Sequence, residues 1–350
     1  MTVTEARGHE RALGPSGVDM STAIGSVRIP SPVLTASGCS AFGQELEPFT
    51  ELTALGAVVT KSVQLRPRSG RPTPRMAETP SGMLNSIGLQ NPGIDAFLAY
   101  DLSWLAERGA RAVVSVAGGS VADYAELARR LRHAPALVAV EVNISCPNVE
   151  DRGQVFACDP DAAARVVEAV RAELPAGIPV LAKLSPDVTD IVQIARSCVR
   201  AGADGLTLVN TLLGMVIDPD TLRPALAGMT GGLSGPAIRP VAVRCVWQVH
   251  QALPEVPLLG AGGISSGLDA LQFVLAGASA VSVGTAVFGD PSAPARVLTE
   301  LRTALAERGF ARLSEAVGYA HRAKVGDEHR PDRTPAPPPR PAWRLGEDDL

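Results

Sequence analysis

Hydrophobic and polar positions alternate along this chain in two interleaved rhythms. Eight short runs of β-branched and aliphatic residues fall at 31–37, 56–62, 110–116, 137–145, 178–184, 205–210, 256–260 and 280–285. Each has the length and composition of a buried strand. Between several of them, at 124–132, 162–174 and 191–201, apolar residues recur at helical spacing. Strands alternating with helices in this way predict an α/β domain, and eight of them predict a (β/α)₈ TIM barrel. A doubly wound parallel sheet gives a similar pattern. The rhythm stops at both ends. Residues 1–20 are polar, and the segment beginning DEHRPDRTPAPPPRP at Asp327 is too rich in proline and charge to pack a core. The expected organisation is a tail over 1–20, a single barrel over 21–326 and a second tail over 327–350.

The residues that end the apolar runs favour the barrel. The first run closes on Ala36-Ser37-Gly38, the second on Thr60-Lys61-Ser62, the third on Ser115-Val116-Ala117-Gly118 and the fourth on the stretch NISCPN, from Asn143 to Asn148. The fifth delivers Lys183, the sixth Asn210-Thr211, the seventh Gly262-Gly263 and the eighth Gly284-Thr285. In a barrel all these termini meet at one rim, where active sites sit. The glycine turns after the last two runs let backbone N–H groups approach a phosphate, and the first of them leads into a helix N-terminus. GLSGPAIRP at 232–240 offers a further glycine wall for the same group.

Composition narrows the function. The net charge of −4 excludes an electrostatic attraction to nucleic acid or to an anionic membrane. No apolar run approaches the length of a membrane span, the first residues lack the apolar core of a secretory signal, and a cytoplasmic protein is expected. No GxGxxG follows the first strand and no P-loop occurs, so a dinucleotide or P-loop nucleotide domain is not expected. The five cysteines, Cys39, Cys146, Cys158, Cys198 and Cys245, are scattered, with no spacing for zinc or an iron–sulfur cluster; no metal site is expected. Four of them read as small buried hydrophobes, and Cys146, inside NISCPN, stands apart.

With these residues in view, the chain resembles the dihydroorotate dehydrogenases, and most of all the catalytic subunit of their two-subunit, NAD-linked class (class IB). The resemblance runs from about Val27 to Lys324 and is carried by PVLTASG, NSIGLQNPG, NISCPN, KLSPDVTDIV, GADGLTLVNTLLGM, GGLSGPAIRPVAVR and GAGGISSGLDALQFVLAGASAVSVGTAVF. It implies an FMN-containing (β/α)₈ barrel that oxidises dihydroorotate to orotate in pyrimidine biosynthesis. It also implies that Cys146 is the base that removes the C5 proton while hydride leaves C6 for the flavin. A thiol has an ordinary pKa near 8.5, within reach of that task. The resemblance assigns the pyrimidine to Lys61, Asn85, Asn143, Asn148, Asn210 and Thr211, with the backbone of Ser86, Ile87, Gly88 and Leu89. Asparagine amides offer both a donor and an acceptor to such a ring edge. It assigns FMN to Ser37, Lys61, Ser115, Asn143, Lys183, Val209, Gly235, Gly262, Gly263, Gly284 and Thr285.

The same resemblance implies partners. With no dinucleotide fingerprint and no cluster ligands on this chain, FAD and a [2Fe-2S] cluster are expected on an electron-transfer subunit that passes electrons to NAD⁺. The expected assembly is a heterotetramer of two catalytic and two electron-transfer subunits, built on a homodimer of barrels. Three features depart from the class. Ser115 stands where asparagine is usual, Asp151, Arg152 and Cys158 continue the catalytic loop where small or different residues are common, and both tails extend beyond a typical catalytic subunit. The rival readings are a dihydropyrimidine dehydrogenase-like flavoenzyme, a fumarate-linked class IA enzyme and a non-catalytic flavin-binding barrel. Against the first, the residue after Cys-Pro is Asn148, not histidine.

Overall fold

In a computed structural model of the chain, residues 17–145 and 156–322 are described. All eight expected strands form, as β1 (Val33–Thr35), β2 (Val58–Val59), β3 (Ala112–Val116), β4 (Leu137–Asn143), β5 (Val180–Leu184), β6 (Gly205–Leu208), β7 (Leu258–Ala261) and β8 (Ala280–Val283). They lie in one sheet in the order β1-β8-β7-β6-β5-β4-β3-β2, every pairing parallel. Chain neighbours are therefore spatial neighbours, and the first strand lies beside the last. A doubly wound sheet is excluded.

The seam between β1 and β2 is closed differently from the ladders. Gly56 N donates to Val33 O at 2.8 Å and Thr35 N to Ala57 O at 3.4 Å. The Thr35 hydroxyl does the rest: its Oγ1 accepts from Val59 N at 2.9 Å and donates to Val59 O at 3.3 Å. A side chain thus stands in for a missing rung.

Outside the strands run α1 (Leu102–Glu107), α2 (Val121–Leu131), α3 (Pro160–Glu173), α4 (Ile191–Arg200), α5 (Arg239–Ala252), α6 (Gly267–Ala276) and α7 (Ala293–Glu307). Their starts are written in side chains: Ser120 and Asp123 form a capping box on α2, Asp159 caps α3 ahead of Pro160, and Asp190 and Ser266 cap α4 and α6. The connection after β1 holds only a 3₁₀ turn, Leu52–Ala54, and the Arg111 guanidinium binds the carbonyls of Thr53 within it and of Leu55 and Gly56 just past it.

Side chains alternate along each strand. Leu34, Val59, Val113, Ala139, Leu181, Leu259 and Ala280 fill the lower interior, and an antiparallel hairpin, Thr22–Ile24 with Val27–Ile29, joins that cluster through Ile24 and Ile29. The intervening residues, such as Val114, Val140 and Val142, pack outward in the larger core shared with the helices. Two residues further along β3, β4, β5 and β8 the inward positions turn polar and stay buried, at Ser115, Glu141, Lys183 and Ser282, and β4 adds Asn143 beyond Glu141.

Two features differ from the sequence reading. Residues 17–20, read as the end of a tail, belong to the fold. Val18 and Met20 are buried, and Asp19 is laced to the far end of the chain, its N donating to Ala311 O and its O accepting from Leu313 N, each at 2.9 Å. The other unforeseen feature is an antiparallel sheet of Leu212–Gly214, Gly231–Ser234, Gly82–Asn85 and Met76–Thr79, contributed by the connections after β6 and β2. Among the described residues no helix is long and apolar enough to cross a membrane.

Candidate active site

The rim is built around two lysines and a carboxylate. β5 presents Lys183, whose Nζ donates to Ser37 Oγ at 3.0 Å just beyond β1. Lys61, beyond β2, brings its Nζ to the same place: a Cβ on Gly38 would stand 3.4 Å from it. Cys39, next along, lies in this field. Burial pushes its thiol up, and the charges of Lys183 and Lys61 pull it back. From β4, the Glu141 carboxylate lies beneath Lys183, with Oε1 at 3.7 Å from Nζ and Oε2 accepting from Thr207 Oγ1 at 3.1 Å.

Asparagines occupy the neighbouring sector. Asn143, the last residue of β4, donates from Nδ2 to Ser62 Oγ at 3.1 Å, and Ser62 Oγ is 2.9 Å from Ser115 Oγ. Asn143 Oδ1 accepts from Ser145 N at 3.2 Å and from Asn210 Nδ2 at 3.4 Å, while Tyr124 OH donates to its carbonyl at 2.8 Å. Asn210 Oδ1 accepts in turn from Thr211 N at 2.8 Å. Asn85 arrives from the antiparallel sheet and donates from Nδ2 to Gly232 O at 3.3 Å. Position 232 must be glycine, because a Cβ there would lie 2.1 Å from Thr211 Oγ1. That close approach joins Asn85 to the Asn210-Thr211 pair.

The turn after Asn85 is braced rather than loose. Arg71 donates from Nη1 to Ser86 Oγ at 2.9 Å and from its backbone N to Ile87 O at 3.0 Å. Asn91 Nδ2 donates to Leu89 O at 2.7 Å, and its Oδ1 accepts from Gly93 N at 3.0 Å and Gln64 N at 3.1 Å. These contacts fix the backbone of the turn.

Beside these groups opens a cavity of ≈ 300 Å³. Of the residues expected at a cofactor, Ser37, Lys183, Val209, Gly235, Gly262, Gly263, Gly284 and Thr285 line it, together with Asn210 and Thr211. Its wall holds one lysine, several hydroxyls and no carboxylate. Gly263 has φ +74° and touches Gly235, where a Cβ would lie 2.6 Å from the Gly235 carbonyl. The Ser282 hydroxyl is buried there without a hydrogen-bond partner. Asp269, an acid at this corner, is neutralised by Arg239 at 2.7 Å and accepts from Ser265 N at 3.0 Å and Ser265 Oγ at 2.8 Å, which fixes the turn. A cationic, glycine-walled cavity with hydroxyl donors fits a phosphate-bearing, flat ligand such as FMN.

Lys61, Asn143 and Ser115 sit outside the cavity wall proper. Ser115 is fully buried and spends its hydroxyl on Ser62, so it supports Asn143 from behind. Cys146, Asn148, Asp151 and Arg152 lie outside the described residues. Two cysteines depart from the sequence reading. Cys39 lines the cavity, and Cys158 is exposed; only Cys198 and Cys245 are buried as expected, with burial pushing Cys198 up to about 12. Glu141 and Thr207 were missed. Their signal was a lone acid inside the apolar run LVAVEVN, where a core strand has no use for one.

Comparison with known proteins bears on this geometry. The family model described as dihydroorotate dehydrogenase matches residues 19–305. Three relatives carry the name "Dihydroorotate dehydrogenase B (NAD(+)), catalytic subunit". That of Trichlorobacter lovleyi is 52% identical over 299 residues, covering 85% of this chain and 97% of the relative. That of Desulforudis audaxviator is 51% identical over 305 residues, 87% and 98% of the two chains. That of Geotalea daltonii is 50% identical over 300 residues, 86% and 97%.

Proposed function

This chain belongs to the dihydroorotate dehydrogenase family, and we propose that it oxidises dihydroorotate to orotate in pyrimidine biosynthesis as the catalytic subunit of an NAD-linked enzyme. The observation that carries the reading is the junction of the asparagine sector with the lysine-lined, glycine-walled cavity at Asn210 and Thr211. A pyrimidine ring and a phosphate-bearing cofactor would lie side by side across that junction. FMN, when bound there, supplies the acceptor for the hydride from C6 of the substrate.

The chain's own groups do the remaining work. Gly235, Gly262, Gly263, Gly284 and Thr285 would hold the phosphate end, and Ser37, Val209 and Lys183 the ring. Lys61 would touch both ligands from its place at Gly38. Asn85, Asn143, Asn148, Asn210 and Thr211, with the backbone of Ser86, Ile87, Gly88 and Leu89, would orient the ring by matching its alternating donors and acceptors. Cys146 would take the C5 proton. The strand before it is anchored at Asn143 by the Tyr124 and Ser62 contacts.

The relatives' name, a catalytic subunit, supports a second subunit. On this reading that partner carries FAD and a [2Fe-2S] cluster, receives the electrons and delivers them to NAD⁺, in a heterotetramer of two and two. Leu213, Met215, Ile217 and Leu222, in the connection after β6, are exposed and support an association of barrels. The test is direct. The purified chain should release FMN on acid treatment, and anaerobic dihydroorotate should bleach its flavin band. Release of FAD alone, or a bound flavin that dihydroorotate leaves oxidised, would overturn the reading.

A further inference from the structure

Glu141 is 1% exposed, in the middle of an apolar strand, and the chemistry above makes no use of it. A carboxylate taken out of water is strongly disfavoured unless it is both paired and hydrogen-bonded. Here only half of that is met. Oε2 accepts from Thr207 Oγ1, but Oε1 has no hydrogen-bond partner and stands 3.7 Å from Lys183 Nζ. That separation is too long for a charge-assisted hydrogen bond yet close enough for a strong Coulomb attraction at a buried site. Lys183 Nζ donates to Ser37 Oγ instead. The ammonium is thus suspended between a hydroxyl at the cavity wall and a carboxylate deeper in the barrel. An ion pair selected for stability alone would close the gap and satisfy both oxygens.

We propose that Glu141 is a positioning residue of the redox site: it holds the Lys183 ammonium at the cavity and offsets part of its field, so setting the reduction potential of the bound flavin. The inference rests on the FMN reading above. Lys61 and Lys183 converge on the segment Ser37 to Cys39, and Glu141 is the acid that faces Lys183. A flavin gains negative charge on two-electron reduction, so the Lys183 ammonium favours the reduced form, and Glu141 limits by how much. Removing its charge while keeping its shape must raise the potential.

The experiment is anaerobic equilibration of the purified, FMN-loaded full chain with reference dyes. Glu141→Gln should keep its FMN and favour reduction by tenfold or more, which is about 30 mV for a two-electron couple. Glu141→Asp keeps the charge but draws it back from Lys183, and should shift the potential the same way by less. An unchanged or lowered potential in a folded, FMN-bearing Glu141→Gln overturns the inference. Where that variant does not fold, an unchanged or lowered potential in Glu141→Asp overturns it equally. A wild-type chain that binds no FMN overturns the cofactor reading as well, whereas normal FMN in wild type with unmoved variants overturns this inference alone.

Discussion

At the scale of single residues, the reaction needs one group that moves a proton and several that do not move at all. Cys146 is proposed for the first role, and Cys146→Ala should retain FMN and orotate binding while turnover falls about 10²–10⁴-fold, the usual contribution of a positioned general base. Rapid mixing with dihydroorotate measures this, and near-normal flavin reduction would remove Cys146 from the mechanism. The static groups were only partly legible in the sequence. Asn143 and Asn210 are legible because each ends an apolar run, where a polar group stands out, whereas Asn85 ends no such run and is assigned by the family resemblance alone. Glu141 was hidden by the same logic, since the apolar residues on either side of it mark the run as core. Cys39 was sorted wrongly because its neighbours Lys61 and Lys183 are remote in sequence. No local pattern can report a field assembled from three strands.

At the scale of elements, the eight barrel strands were legible because both faces of each are buried, which leaves an almost unbroken apolar run. The antiparallel sheet over the rim was not. Its strands are of three or four residues, three of them containing glycine, and they are set by contact across the site rather than by alternation. The seam between β1 and β2 has two backbone hydrogen bonds and takes the rest from one hydroxyl, so Thr35→Val should strand the buried Val59 amide and cost about 1–3 kcal/mol. Urea unfolding should show a lower midpoint with an unchanged slope. A second element carries a pH dependence. The turn Tyr319–His321 packs His321 against Trp247, with ring centroids 3.6 Å apart, and His250 lies 4.9 Å from His321 with its Nδ1 buried and unpartnered. Burial, then the charge of His321, holds the His250 pKa below the ordinary histidine value, against the opposing pull of Glu255. The unfolded chain therefore takes up this proton at higher pH than the folded one, and stability must fall as pH drops below about 6.5. Melting curves between about pH 7.5 and 5 should show that loss, and His250→Gln should flatten it; an unchanged slope would exclude His250 as the cause.

At the scale of the whole molecule, the proposed activity is incomplete without a partner. The isolated chain should reduce its flavin with dihydroorotate and pass electrons to artificial dyes, yet reduce NAD⁺ hardly at all. Brisk NAD⁺ reduction, or fumarate-dependent turnover, by the chain alone would rule out the two-subunit reading. Closure of the barrel has a consequence of a different kind. Among the described residues β1 finds its ladder partner only in β8, Val33 opposite Val281, and Asp19, ahead of the hairpin that precedes β1, is tied to Ala311 and Leu313. A ribosome adding roughly 5–20 residues per second takes on the order of 10–50 s to make the chain between those two strands. Throughout that interval the first strand to be synthesised waits at an open sheet edge, a place where foreign strands can pair. Vectorial synthesis therefore exposes the beginning of this chain longest, and the hydroxyl of Thr35, which can bind β2 as soon as β2 emerges, is the earliest contact that guards it.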